Sequence, residues 1–403
     1  MAIPQSKDLL QIARPRPRQD SLSKGGAGRQ KDLHGKFCGK PWEQFEVHPD
    51  GNAWVCCPSW LPTPIGNCLK QSIEEVWNSP TAQKIRRSIL DGSFRYCTHE
   101  ECPLIQSDTL PDCDDVSDPR ERRIIDEGII APQGLPTFFN FCYDESCNLS
   151  CPSCRQTAIR WTAGPEFEKR QRIQHVLTKW LFGYPHSEHV RVNITGSGDP
   201  FSSRLFFDLL TTLDGRDFPN VTFDLQTNGV MFTPKYWEKI ARLHGNIGEV
   251  IVSFDAATPA TYAYTRRGGN WNQLLENVRF LDALRSDGKI RGLRIDFVVQ
   301  QRNYREMPGF VEFGRTFPHI DKVVFSLITD WGTYPPAEFR RHAVWKRDHP
   351  EFPAFLEVLR HPVLGDPKVY LANLTEYRRL ALMEEAPARA SWFSRVLETL
   401  RVK

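Results

Sequence analysis

The sequence predicts an α/β protein: a partial (β/α)6 barrel of parallel strands, with a small cysteine-rich N-terminal module and a helical C-terminal tail. Three observations predict it. From residue 135 onward, apolar runs over 138–142, 190–195, 221–227, 250–254, 293–299 and 323–327 read as strands, with helical stretches between them. Strands alternating with helices imply a parallel sheet with right-handed crossovers, and six units are too few to close an eight-unit barrel. An open, curved sheet is therefore expected. The eleven cysteines end at Cys154, which sets the first part of the chain apart. Beyond residue 330 no run reads as a strand.

Residues 1–35 combine Arg14-Pro15-Arg16-Pro17-Arg18 with Gly25-Gly26-Ala27-Gly28 and have no apolar period, so they are expected to form a flexible basic arm. Residues 36–115 form the cysteine-rich unit. In it His48-Pro49-Asp50-Gly51 is a turn between two short strands, and Ser72 with Glu75 caps a short helix. So small a unit buries little core, and a metal would supply the missing stability. A linker over 116–134 leads into the barrel at 135–330. One barrel helix carries Ile173, Val176, Leu177, Trp180 and Leu181 on one face, and another carries Leu274, Val278 and Leu281. The tail, 331–403, is expected to be helical over 337–344, 353–359 and 392–400.

Charge and hydropathy exclude several classes. Lys and Arg exceed Asp and Glu by only three, so nothing demands nucleic acid or an anionic membrane as partner. No run reaches the ~18 apolar residues of a membrane span, and the first residues lack the apolar core of a signal peptide. A cytoplasmic location is expected. In a reducing compartment cysteines are metal ligands or catalytic groups more often than disulfides.

Cys147, Cys151 and Cys154 fall just after the first barrel strand, at the strand end where parallel sheets build their sites. Three thiolates in one loop can hold an iron–sulfur cluster and leave one iron open. A zinc site wants four ligands and remains the alternative, with unrelated buried cysteines behind it.

The spacing of these three cysteines resembles the radical S-adenosylmethionine (SAM) superfamily. The resemblance continues through Gly196-Ser197-Gly198-Asp199-Pro200 after the second strand, Gln226-Thr227-Asn228-Gly229 after the third, Ser253-Phe254-Asp255-Ala256 at the fourth and Arg266-Arg267-Gly268-Gly269 soon after. It implies a 4Fe-4S cluster on the three cysteines, whose open iron chelates the amino and carboxylate groups of SAM. One electron, from a donor such as flavodoxin or ferredoxin, then yields a 5′-deoxyadenosyl radical that abstracts a substrate hydrogen. By the same resemblance Gly196 and Gly198 let backbone approach the ligand, and Asp199 accepts from the methionine ammonium. Arg266 or Arg267 pairs with its carboxylate, and Asn228, Ser253 and Asp255 hold the ribose region. Two positions depart from the family. Asp199 stands where a glutamate is usual, and Ser153 where an aromatic residue is frequent.

Cys38, Pro41-Trp42, Pro49-Asp50-Gly51, Cys56, Ile65-Gly66-Asn67, Val76-Trp77-Asn78-Ser79, Cys97 and Cys102-Pro103 are similar to the auxiliary-cluster module called SPASM, or its shortened twitch form. That module usually follows the barrel; here it precedes it. The resemblance implies one auxiliary 4Fe-4S cluster on Cys38, Cys56, Cys97 and Cys102. Cys57 is an alternative to Cys56, and zinc is an alternative to iron. Cys68 reads as buried, Cys113 as undecided and His99 as solvated.

Cys142, at the end of the first barrel strand, is the candidate catalytic residue: if it points inward, its thiol can return a hydrogen atom to a substrate radical. Three functions are then in play. The first is oxidation or epimerisation of a small alcohol or sugar. The second is modification of a peptide, and the third is a metal-bound scaffold without activity. The family resemblance counts against the third. Trp331, Tyr334 and Asp348-His349-Pro350 in the tail are candidates for substrate contact.

Overall fold

The computed structural model describes residues 31–183 and 188–383. Nearly all of the expected basic arm, and the helix expected over 392–400, lie outside the described residues.

Ten strands make one sheet: β1 (Gln44–Val47), β2 (Asn52–Trp54), β3 (Gly66–Asn67), β4 (Phe138–Phe141), β5 (Val190–Ile194), β6 (Val221–Thr227), β7 (Ile247–Ser253), β8 (Gly292–Val299), β9 (Lys322–Leu327) and β10 (Val369–Tyr370). Their spatial order is β10-β9-β8-β7-β6-β5-β4-β1-β2-β3. From β4 to β9 the strands follow one another in space as in sequence, and every pair is parallel. No step reverses direction, so right-handed crossovers put the connecting helices on one face. The expected α/β sheet of six parallel strands is present. It does not close, because β3 and β10 end it without pairing to each other.

Side-chain alternation divides the sheet's two faces. Phe139, Phe141, Val192, Ile194, Phe223, Leu225, Val250, Val252, Ile295, Phe297, Val323 and Phe325 are buried on the helix side. The helix Pro165–Phe182 lays Ile173, Leu177, Trp180 and Leu181 on that face. Trp180 packs against Phe139 at 5.6 Å between ring centroids and against Phe45 at 5.9 Å. Each such side chain contributes about 1.5–3 kcal/mol by leaving water. The intervening residues face the opposite side and include the polar Glu46, Asn140, Asn193, Asp224 and Asp296, with Ile251, Val298 and Val324 as apolar members. The chemistry is built on that side and on the loops at the carboxyl ends of the strands.

Three features add to these expectations. The cysteine-rich module joins the main sheet directly. Its β1 runs parallel to β4, with Gln44 opposite Phe138 and Val47 opposite Phe141, so the β1–β3 meander extends the main sheet. The stretch expected as linker holds a helix, Pro119–Glu127, capped by Asp118 and closed by Gly128 at φ +63°. The tail contributes a strand, β10, of two residues beside β9, too short to leave a periodic signal. The predicted capping box is present: Ser72 accepts from the Glu75 amide, and Glu75 accepts from the Ser72 amide. At the predicted turn Gly51 takes φ +81°, where a Cβ would lie 2.9 Å from Leu69.

Candidate metal centres

The loop after β4 is anchored before it reaches its first cysteine. Asp144, fully buried, accepts from the Ser146 amide at 3.0 Å and from the Ser203 hydroxyl at 2.5 Å. The Cys147 amide then bonds Ile159 O at 2.9 Å, and the Ser150 amide bonds Arg267 O at 3.0 Å. Cys147 and Cys151 are buried and Cys154 is exposed. Cys151 makes Cys147 harder to ionise, and Cys154 does the same to Cys151, as neighbouring thiols do. Burial pushes Cys147 up to about 12 and Cys151 in the same direction. Coordination to a metal reverses this, since a bound thiol is deprotonated outright.

Two arginines offset the charge such thiolates would carry. Arg155 donates from Nη2 to Cys154 Sγ at 3.1 Å and also reaches Glu145 O and Ser197 O. It adjoins all three thiols electrostatically. Nothing in the sequence marks Arg155 except its place after Cys154. Arg266 places Nη1 3.9 Å from Cys151 Sγ and Nη2 2.8 Å from the Asp255 carboxylate. Its Nε is buried and has no protein acceptor. Arg267 faces outward, bonding Gln156 O and Ser150 Oγ, so of the two candidate arginines only Arg266 enters the site.

The other expected ligand residues converge here, several in roles the sequence does not reveal. Gly198 makes room for the protein itself: a Cβ would lie 2.6 Å from Asp144 O and 2.7 Å from Ser146 O. At Gly196 a Cβ would stand 3.1 Å from Cys142 Sγ. Asp199 is fully buried, and its carboxylate accepts from Thr227 Oγ1 at 2.7 Å, the Asn228 amide at 2.9 Å and the Phe201 amide at 3.0 Å. It ties the ends of β5 and β6 together. Asn228 donates from Nδ2 to Asn148 Oδ1 at 2.9 Å and lies 3.6 Å from Cys147 Sγ. Asp255 sits at φ +56°, a strained conformation for a residue with a Cβ, held by bonds from Val298 N at 2.7 Å and from Asn303 Nδ2 to its carbonyl at 2.9 Å. Ser253 is half-buried at the end of β7.

The second group of thiols lies beyond β1. Cys56 adjoins Cys38, Cys97 and Cys102, each of which hinders its ionisation, and Cys97 adjoins Cys38 and Cys102 in turn. Desolvation pushes Cys38 up to about 12. Cys57 also adjoins Cys56, and its further neighbours are Glu46 and Cys142. Cys68 is buried in the main core, as expected. Cys113 packs at the edge of the small core holding Phe37, Trp42, Ile89 and Phe94. The His99 ring nitrogens are shielded from water, contrary to the solvated reading.

Cys142 is 3% exposed and continues the ladder of β4, its amide bonding Val47 O at 3.0 Å. Its thiol points to the polar face, with Glu46 and His48. In the tail, Thr333 bonds Ser153 O and Gln156 bonds Thr333 O, so that segment touches the cysteine loop. His349 instead turns back to Arg341 O. A surface hollow of about 600 Å³ around Asp214, Arg216 and Arg242 is lined by no cysteine.

Residues 145–294 match the radical SAM superfamily model, and residues 38–103 match SPASM, an iron–sulfur cluster-binding domain. The chain carries a radical SAM domain. It carries its SPASM module ahead of the radical SAM domain, and the two domains imply a 4Fe-4S cluster with SAM and auxiliary iron–sulfur chemistry. The donor set fits: three thiols share one loop with Arg155 and Arg266 beside them, and four more share the module. No curated protein matches the sequence. Among solved structures, TYW1 with a lysine–pyruvate adduct bound is similar at 16% identity over 55% of this chain and 70% of that one, with a TM-score of 0.33. SuiB of Streptococcus suis, bound to precursor peptide SuiA, is similar at 14% identity over 76% of this chain and 67% of that one, with a TM-score of 0.39. Among the described residues no helix is long and apolar enough to cross a membrane.

Proposed function

We propose that this chain is a radical SAM enzyme that abstracts a hydrogen from a carbinol carbon of a small alcohol or sugar and epimerises or oxidises it. Cys147, Cys151 and Cys154 would hold the SAM cluster, and Cys38, Cys56, Cys97 and Cys102 an auxiliary one. Held there and given an electron by a flavodoxin- or ferredoxin-type donor, a cluster with SAM would supply a 5′-deoxyadenosyl radical. The chain's own residues do the rest. Arg266 offers its free Nε to a carboxylate and keeps its orientation through Asp255. Asn228 steadies Cys147 from one side. Asp199 acts through Thr227 and Asn228, which it positions, in place of the direct ammonium contact expected of it. Gly196, Gly198 and Ser253 shape the strand ends around the ligand.

One observation carries the substrate class. The sheet face beside Cys142 is polar and already hydrogen-bonded: Asn193 donates to Asn140 at 2.7 Å, and Asn140 donates to Glu46 at 2.9 Å. The Asn193 Oδ1 at the head of this chain is buried without a partner. An orphaned acceptor suits a ligand hydroxyl, and leaving it unpaired costs about 1–3 kcal/mol. Cys142 on the same face favours epimerisation, with the thiol giving a hydrogen atom to the substrate radical.

The test is coupled turnover. Reconstituted enzyme with SAM and a reductant is offered polyols, sugars and sugar nucleotides, or short peptides. Substrate-dependent 5′-deoxyadenosine with a hydroxylated small molecule supports the proposal; stimulation by peptides alone overturns it in favour of peptide modification.

A further inference from the structure

Cys142 does not stand alone. Its Sγ, a Glu46 carboxylate oxygen and a His48 ring nitrogen all lie within 4.8 Å of one another. Glu46 is 4% exposed, and each of its oxygens is engaged. Oε2 accepts from Gln44 Nε2 and Asn140 Nδ2, both at 2.9 Å, and Oε1 is 2.8 Å from His48 Nε2. With Oε2 held by two amides, the remaining oxygen orients the imidazole. Trp54 packs against the ring at 4.7 Å between centroids. The His48 side chain keeps 16% exposure, so one edge of this buried group reaches solvent. The geometry is that of a proton conduit: solvent, imidazole with its carboxylate, then a buried thiol.

We propose that His48, oriented by Glu46, resupplies the proton of the Cys142 thiol after that thiol has given up its hydrogen atom. This rests on the reading of Cys142 as a hydrogen-atom donor. In the donation the S–H bond breaks, a C–H bond forms on the acceptor radical, and sulfur is left as a thiyl radical. One electron from the low-potential reductant that also drives SAM cleavage converts the thiyl to a thiolate. One proton from the His48–Glu46 pair restores the thiol, and the pair takes a proton back from solvent. Burial, with Glu46 adding to it, raises the thiol well above its ordinary value, so a thiolate formed there is a strong base. Gly196 leaves the sulfur accessible on the side of the second motif, where a side chain would crowd it.

The experiment needs no substrate. Cluster-loaded enzyme is incubated with SAM and dithionite in deuterium oxide, and the 5′-deoxyadenosine is analysed by mass spectrometry. Wild type is expected to form product carrying one deuterium, drawn from the exchanged thiol, over many turnovers, and Cys142→Ala to lose that label. His48→Ala and Glu46→Gln, checked for unchanged iron content, are expected to release about one equivalent of labelled product and then slow by about 10²-fold, the scale of general acid–base catalysis. Added imidazole should restore His48→Ala. Unlabelled wild-type product would sink the Cys142 reading itself. Labelled wild type with both variants turning over normally would leave that reading intact and overturn the proton supply. Zinc retained at about one per chain in wild type and lost from both variants would also overturn it, by making the three side chains metal ligands.

Discussion

Arg266 and Asp255 form an ion pair of 2.8 Å inside the radical SAM domain, with side-chain exposures of 14% and 3%. Removing one partner strands the other's charge in a poorly solvated place. Asp255→Ala is therefore expected to destabilise the protein by about 3–5 kcal/mol, read from denaturant unfolding. Arg266→Lys keeps the charge and loses the planar fork. It should leave the unfolding midpoint nearly unchanged while weakening SAM binding by about tenfold or more in equilibrium dialysis of the cluster-loaded enzyme.

Asp199 is expected to matter through what it holds. Asp199→Ala removes the acceptor for Thr227 and Asn228 and for the Phe201 amide. Loss of bonds to a buried charged group costs about 1.5–3 kcal/mol apiece, less than additively. Hydrogen exchange should quicken first at the ends of β5 and β6. Unchanged exchange there would mean that the carboxylate does not tie the two strands.

The neighbouring cysteines of the SPASM module should separate cleanly. Cys56 adjoins the other three thiols, whereas the neighbours found for Cys57 are Cys56, Glu46 and Cys142. Anaerobic reconstitution of wild type is expected to give about eight irons per chain, two four-iron clusters. Cys56→Ser should fall toward about four, and Cys57→Ser should stay near eight. The reverse pattern would exchange their assignments.

The buried thiols also predict a pH dependence. Cys38 and Cys147 are pushed from 9.0 up to about 12 by burial, so the folded cluster-free protein holds protons that the unfolded chain releases more readily. The stability this contributes is complete below about pH 9 and is lost as pH rises toward 12. The melting temperature of the cluster-free protein should hold up to about pH 9 and fall as pH rises from there toward 12. Cluster-loaded protein, whose ligand thiols are already deprotonated, should change less over that interval.

The parallel sheet is legible in the sequence, because β5, β6 and β8 alternate apolar with polar residues and helical periods lie between the strands. The cysteine triplet is legible as well, because ligands for one centre lie within a single loop and need no tertiary knowledge to be found. So is the Ser72–Glu75 cap, a contact three residues long. What the sequence left open depended on residues distant in the chain. The junction of β1 with β4 joins positions 94 residues apart, as the Asn140–Glu46 bond does. Only the folded chain brings Glu46, His48 and Cys142 together, puts Cys57 beside Glu46, and commits the Asp199 carboxylate to Thr227, Asn228 and Phe201. Spacing along a chain records which groups can meet locally. Which buried charge or thiol meets which is decided by sheet register and by desolvation, and both arise when distant strands pair.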